Sequence, residues 1–353
     1  MKKILLIILV ISLNGCGYIA KQGVGFVRYQ SRAVRIDKML ADEDIAVEKR
    51  EFLMLVLDIR EFAMDSIGLK RNKNYTTHVH VGRDYMVDVV MASKDDAFEL
   101  YRWWFPIVGN VPYKGFFDKN DAEKEIRKIE RRGNYDTHIG PAGAFSTLGF
   151  FNDPILSFMI NYNIYDLANL IIHEQTHATV FIKNQVRLNE EIATLVGEEG
   201  GLWYVRSRFG EDSEQYKAAI LSREDYRTYI NLMRELYEEL DVLYKSDTSR
   251  EYKLSEKERI FTSFREKITI SYDELFRTPR YKGLKQMKSN NAIVASGMTY
   301  NLDLPLLYEL YESLERNLPA TVREFVGLKK VKTDPREHIR MRIAVNSALS
   351  KWH

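Results

Sequence analysis

One cysteine, Cys16, is present among 353 residues, so the chain cannot carry an internal disulfide framework. It also lacks an excess of either charge: 52 lysines and arginines face 50 aspartates and glutamates, which leaves nucleic-acid binding without electrostatic support. Beyond Leu13 there is no long apolar run, so a membrane-spanning body has no support either. Internal repeats and low-complexity tracts are missing too. What remains is an ordinary globular composition, 45% hydrophobic, with enough residues for one large or two medium domains.

What is present begins at the N-terminus. Met1-Lys2-Lys3 followed by apolar Ile4 to Leu13 makes a charged n-region and a short h-region, too short to span a bilayer. Leu13-Asn14-Gly15-Cys16 then resembles a lipobox, in which a small residue precedes the cysteine that receives a diacylglycerol. These residues predict a signal peptide over 1–15, lipidation at Cys16, a tether over 16–30 and a globular domain over 31–353. A chain otherwise free of cysteine suits export to an oxidising compartment. The membrane is thus an expected partner through the anchor at Cys16, and a triacylated cysteine carries enough chains to hold. Gly17, not aspartate, directs the expectation to the outer membrane, facing the periplasm, if the source has two membranes.

Hydrophobic periodicity predicts a helix over Ser31 to Met64, uninterrupted by proline. Alternation in Thr77-His78-Val79-His80-Val81 and Met86-Val87-Asp88-Val89-Val90 predicts two strands, opening a β-containing module over about 75–152. Within it, Trp103 to Phe117 reads as strand, turn, strand, and Asp118 to Arg132 as an amphipathic helix ended by Gly133. The stretch from Asp136 to Asn152 reads as extended, Asp153-Pro154 as a helix start, and 166–183 and 189–207 as helices. The remainder, 208–353, is helical, with segments to Lys245, over 255–275 and over 303–326. The expected class is α+β, mainly helical.

Chemistry concentrates in Leu170-Ile171-Ile172-His173-Glu174-Gln175-Thr176-His177, an HExxH motif in an apolar helical setting. Four residues turn a helix through about 400°, so His173 and His177 share one face and can grip one ion. Glu174, about 100° round from His173, is placed to take a proton from water rather than to coordinate. A catalytic zinc takes three protein groups and keeps a fourth position open, so a third ligand is required. Twelve residues after His177 stands Asn189-Glu190-Glu191; Glu190 is the candidate and Glu191 its rival, since only one of two adjacent helical positions can face the ion. A third histidine is excluded by Val180 and Lys183, where the longer metzincin motif needs glycine and histidine. One Zn2+ and a peptide substrate are the expected cofactor and partner.

The lipobox, the segments Trp104-Phe105-Pro106-Ile107-Val108-Gly109-Asn110-Val111-Pro112-Tyr113-Lys114-Gly115-Phe116-Phe117 and Ala144 to Pro154, the HExxH motif and the Asn189-Glu190 pair together resemble a bacterial lipoprotein family of predicted aminopeptidases. The resemblance implies a gluzincin-type zinc peptidase with a zincin-like fold and the HExxH helix at the junction of β module and helical part. The chain departs from the family at Gln175-Thr176 and at Phe145. Other candidates are Ala144 to Phe151 as a substrate-binding sheet edge, and Tyr113 or Tyr300 as the phenol that steadies an oxyanion. Glu191, Glu198 or Glu199 could recognise a free α-amine, and Asn290-Asn291-Ala292 could line the cleft or equally be a cap and turn. His138 has the simpler reading of a surface or core residue, and His78 and His80, on one face of a strand, lack the nearby carboxylates that a second metal site would need. Two further functions compete: an envelope lipoprotein that binds a partner or a structural metal without catalysis, and a hydrolase of a non-peptide amide.

Overall fold

The alternating segments do become strands, of three and eight residues, and helices build most of the molecule. In the computed structural model the described residues are 17–18, 21–105, 109–142, 152–299 and 304–349. Cys16, Ala144 to Phe151 and Tyr300 lie outside them.

Residues 21–30 form α1, followed by β1 (Val34–Arg35), α2 (Ile36–Leu40) and α3 (Val47–Asp65). The helix expected over Ser31 to Met64 is therefore broken. The cause is local: the Asp42 carboxylate accepts the Asp44 backbone N–H at 3.1 Å, a turn that competes with the helical ladder. Arg50 then donates to the carbonyls of Leu40 and Asp42 at 2.8 and 2.6 Å, filling the acceptors at the break. The stretch expected as a tether is also different, for it is docked on the β module. Tyr18 donates its hydroxyl to the Gly115 carbonyl at 2.6 Å, and Phe117 donates its N–H to the Gln22 side chain at 3.1 Å. A Cβ on Gly25 would stand 2.7 Å from the Phe117 ring, so glycine lets α1 lie down at that point.

Strands β2 (Thr77–Val79), β3 (Val87–Lys94), β4 (Trp103–Phe105), β5 (Gly109–Val111) and β6 (Tyr113–Phe116) precede α4 (Lys119–Glu130), β7 (Tyr135–Ala142) and β8 (Ile155–Leu156). They make two three-stranded sheets, β1-β2-β8 and β6-β3-β7, and the β4-β5 hairpin. β3 is central, with Met91 opposite Tyr113 on one side and His138 on the other. Its residues are buried or half-buried throughout, as a covered central strand requires.

Asp153-Pro154 does not start a helix. Residues 155–156 pair in parallel with β2, a 3-10 turn covers Ser157–Asn161, and α5 (Ile164–Thr179) begins after Asn163, whose side chain accepts the Asp166 N–H at 2.8 Å. Then come α6 (Val186–Phe209), α7 (Glu214–Lys245), α8 (Arg250–Leu275), α9 (Asn291–Thr299), α10 (Leu304–Ser313), α11 (Leu318–Gly327) and α12 (Pro335–Leu349). The main core gathers α3, α5, α6, α10 and α11 around Leu53, Ile59, Ile171, Ile192 and Phe325. A second core fills the α7–α8 hairpin, and a third lies under the β6-β3-β7 sheet against α4. The chain is thus α+β and mainly helical. Among the described residues no helix is long and apolar enough to cross a membrane.

Candidate metal centre

α5 turns Leu167, Ala168, Ile171 and Ile172 into the core, and the same repeat carries His173 and His177 along its other side. Their rings stand 4.9 Å apart between centroids and nearly perpendicular, at 82°. α6 lies against α5 at unusually short range. A Cβ on Gly197 would meet the Asn169 side chain at 2.4 Å and His173 Cβ at 3.1 Å, and one on Gly201 would stand 3.2 Å from the Asn169 backbone nitrogen. Glycine at these positions is what lets the backbones approach.

The loop between the helices is fixed by Asn189. Its side chain accepts the Ile182 N–H at 2.8 Å and donates to the Ile182 carbonyl at 2.9 Å, both bonds buried. Asn184 provides the left-handed turn, at φ 63°, a conformation asparagine tolerates. Asn189 therefore sits inside α6, not at its start, and clamps the loop immediately before Glu190.

The consequence is convergence. Nε2 of His173 and Nε2 of His177 each lie 3.6 Å from Oε2 of Glu190, and one potential donor atom from each residue falls within 4.8 Å of the others. Among the described residues no other group of three histidines, cysteines or carboxylates comes together in this way. Tetrahedral donors held at about 2.0–2.2 Å from an ion would be roughly 3.4 Å apart, so two imidazole nitrogens and one carboxylate oxygen at this spacing fit a zinc ion. Burial opposes charge on Glu190, but His173 and His177 outweigh it and hold its carboxyl down at about 2. Desolvation likewise opposes a charged His177, and the negative charges of Glu190 and Glu174 prevail and raise it. Two imidazoles and the Glu190 carboxylate thus stand within reach of one ion.

Glu191 points elsewhere. It is fully buried and accepts from Arg187 at 3.0 Å and from Arg336 on α12 at 2.7 Å. Glu198 accepts the Tyr308 hydroxyl at 2.8 Å, and Glu199 is bound by Arg223. All three carboxylates considered for amine recognition are therefore engaged by protein groups. His138 lies on β7 and His78 on β2, where burial and then Lys49 push the His78 imidazole down to about 4; neither joins the cluster. Asn290 and Asn291 tie the start of α9 to β7 and β3: Asn290 donates to the Thr137 carbonyl at 2.8 Å, and Asn291 donates to the Lys94 carbonyl at 2.9 Å.

Glu174 stays out of the donor set and lines a cavity with Tyr29, Gln30, Tyr75 and Asp153. Its Oε2 is buried and accepts no hydrogen bond from the described residues. Tyr75 is held at φ 58°, a region bulky side chains rarely enter, with its N–H on the Asp153 carbonyl at 2.6 Å. Burial, Glu174 and Asp153 all raise its phenol well above the ordinary value. Sequence reasoning missed Gln30 and Tyr75, which no motif marks, and read Asp153, at the end of the Ala144 to Pro154 segment, only as a helix start. Tyr113, at the head of β6, is likewise raised by desolvation and by the charge of Glu190.

No curated protein and no solved structure matches the chain. Residues 17–339 match the model of the family described as "Putative aminopeptidase", and the chain belongs to that family.

Proposed function

We propose that the protein is a zinc-dependent peptidase with a zincin-like active site, in which His173, His177 and Glu190 hold the metal and Glu174 is the general base. The observation that carries the reading is the meeting of two imidazoles from α5 and one carboxylate from α6, with the HExxH glutamate beside them. Zinc, when bound, supplies Lewis acidity that polarises a carbonyl and makes water acidic near neutral pH. His173 and His177 offer neutral nitrogens, and Glu190 adds one negative charge that lowers the net charge of the site. Glu174 takes the proton from the attacking water and passes it to the departing amine. Tyr113 donates its phenolic hydrogen to the carbonyl oxygen as charge develops there. The family description favours removal of N-terminal residues. With Glu191, Glu198 and Glu199 all tied to protein partners, a free amine must be recognised by other groups.

Glu174→Gln tests the reading. Hydrolysis of a peptide library should fall by about 10²–10⁴-fold, the usual worth of a general base, while zinc content by elemental analysis stays at one ion. Unchanged hydrolysis sinks the mechanism. A wild-type chain that binds zinc and cleaves no peptide identifies a structural metal or a non-peptide substrate instead. We further propose that Cys16 is lipidated after removal of residues 1–15, which places the enzyme on the cell envelope, on the outer membrane where the source has two.

A further inference from the structure

We propose that Gln30 positions the carboxylate of Glu174 through one water molecule held in the cavity that both residues line. The proposal rests on the reading of Glu174 as general base. Gln30 is the last residue of α1, and its side-chain Nε2, a donor, is buried with no hydrogen-bond partner among the described residues. Glu174 Oε2, an acceptor on α5, is buried and unpartnered in the same sense. An unmet donor and an unmet acceptor thus belong to the walls of one cavity. In contact they would satisfy each other, so a gap separates them. Leaving either one bare is costly, because burial takes away the water that bonded it in the unfolded chain.

Size and lining decide what closes the gap. The free volume of the cavity is about 20 Å³, room for one water and too little for a substrate side chain. A buried water needs two or more polar partners, and the amide and the carboxylate supply them. Phe26, Met86, Leu156 and Met159 make much of the remaining wall apolar, which strengthens a hydrogen bond made inside it. The far wall is itself pinned: beside the Tyr75 N–H on the Asp153 carbonyl, the Asn74 side chain accepts the Asp153 N–H at 3.2 Å, and Arg60 donates to the Asn74 carbonyl at 2.9 Å. The water accepts from Gln30 Nε2 and donates to Glu174 Oε2. One carboxylate oxygen is then held in place, and the other is left to receive the proton of the attacking water. Gln30 takes no proton; it is a positioning residue.

The first test is a high-resolution crystal structure of the full chain. A water within about 3.2 Å of both Nε2 and Oε2 supports the proposal, whereas direct contact of the two atoms, or no water between them, overturns it. The second is Gln30→Met, which keeps the volume and removes the donor. In the zinc-loaded chain kcat for a cleaved peptide should fall by about 3–10-fold, with KM and zinc content unchanged. The same substitution made in Glu174→Gln should change nothing further, because the group it positions is gone. Equal falls in both backgrounds overturn the proposal, since Gln30 then supports the fold and not the base. A raised KM at unchanged kcat also overturns it, by setting Gln30 against the substrate. Glu174→Gln alone reports on the reading beneath: if it abolishes turnover while Gln30→Met leaves kcat intact, the general base stands and its positioning by Gln30 falls.

Discussion

The α5–α6 and α7–α8 hairpins are built on opposite terms. Between α7 and α8 the seam is filled by Leu236, Leu240, Ile260, Phe261, Phe264 and Ile268, large side chains with no polar obligations. Between α5 and α6 the backbones meet at glycines, and the buried residues include Gln175, Thr176, His177, Asn189, Glu191 and Glu198. Apolar area is non-directional and tolerates small shifts. Polar groups in a close contact are satisfied in one arrangement and costly in others. The second hairpin therefore serves mainly to hold the molecule together, whereas the first fixes three donor atoms in space.

Substitutions in the two hairpins should separate these terms. Phe261→Ala, at a fully buried position, should cost about 3–5 kcal/mol in urea unfolding and leave zinc affinity near wild type. If zinc binding collapses while the chain remains folded, the two hairpins are not separate in function. Asn189→Ala strips both side-chain bonds from Ile182 and orphans its buried N–H, while its carbonyl keeps the Gln185 N–H at 3.2 Å; a loss of roughly 1–3 kcal/mol is expected. Unlike Phe261→Ala, it should also weaken zinc binding, as read by competition with a chromogenic chelator. Gly197→Ala forces Asn169 and His173 apart and should cost ~1–3 kcal/mol, with a fall in zinc affinity larger than its stability loss would suggest. Gly283→Ala, where the added carbon meets nothing, is the silent control. The smallest effect has the opposite sign. Both amide atoms of Gln175 are buried without a partner among the described residues, so Gln175→Leu should stabilise the chain by about 1 kcal/mol, seen as a rise in Tm with turnover unchanged.

The gathering of His173, His177 and Glu190 was legible because the pattern that carries it is periodic and short in range. His173 and His177 share a face through helical geometry alone, and Glu190 follows in the next helix. The choice between Glu190 and Glu191 needed two arginines, one of them 145 residues away at position 336, to show why the second carboxylate is occupied. The break at Asp42 was hidden because hydrophobic spacing continues across it, and what ends the helix is one carboxylate bonding a neighbouring backbone N–H. Gly197, Gly200 and Gly201 stand in the sequence as poor helix formers, and only contact with α5 gives them a reason. Tyr75 and Gln30 reach Glu174 from segments about 100 and 144 residues away, through tertiary packing that no local pattern encodes.

On the anchoring proposed at Cys16, the docked N-terminal helix has a consequence for release of the protein from the envelope. Tyr29 and Gln30 of α1 form part of the wall against which Glu174 rests. Proteolytic trimming that removed the whole leash would therefore strip Tyr29 and Gln30 from the cavity that Glu174 lines. A cut ahead of residue 21 would spare that wall, whereas one beyond residue 30 would open it.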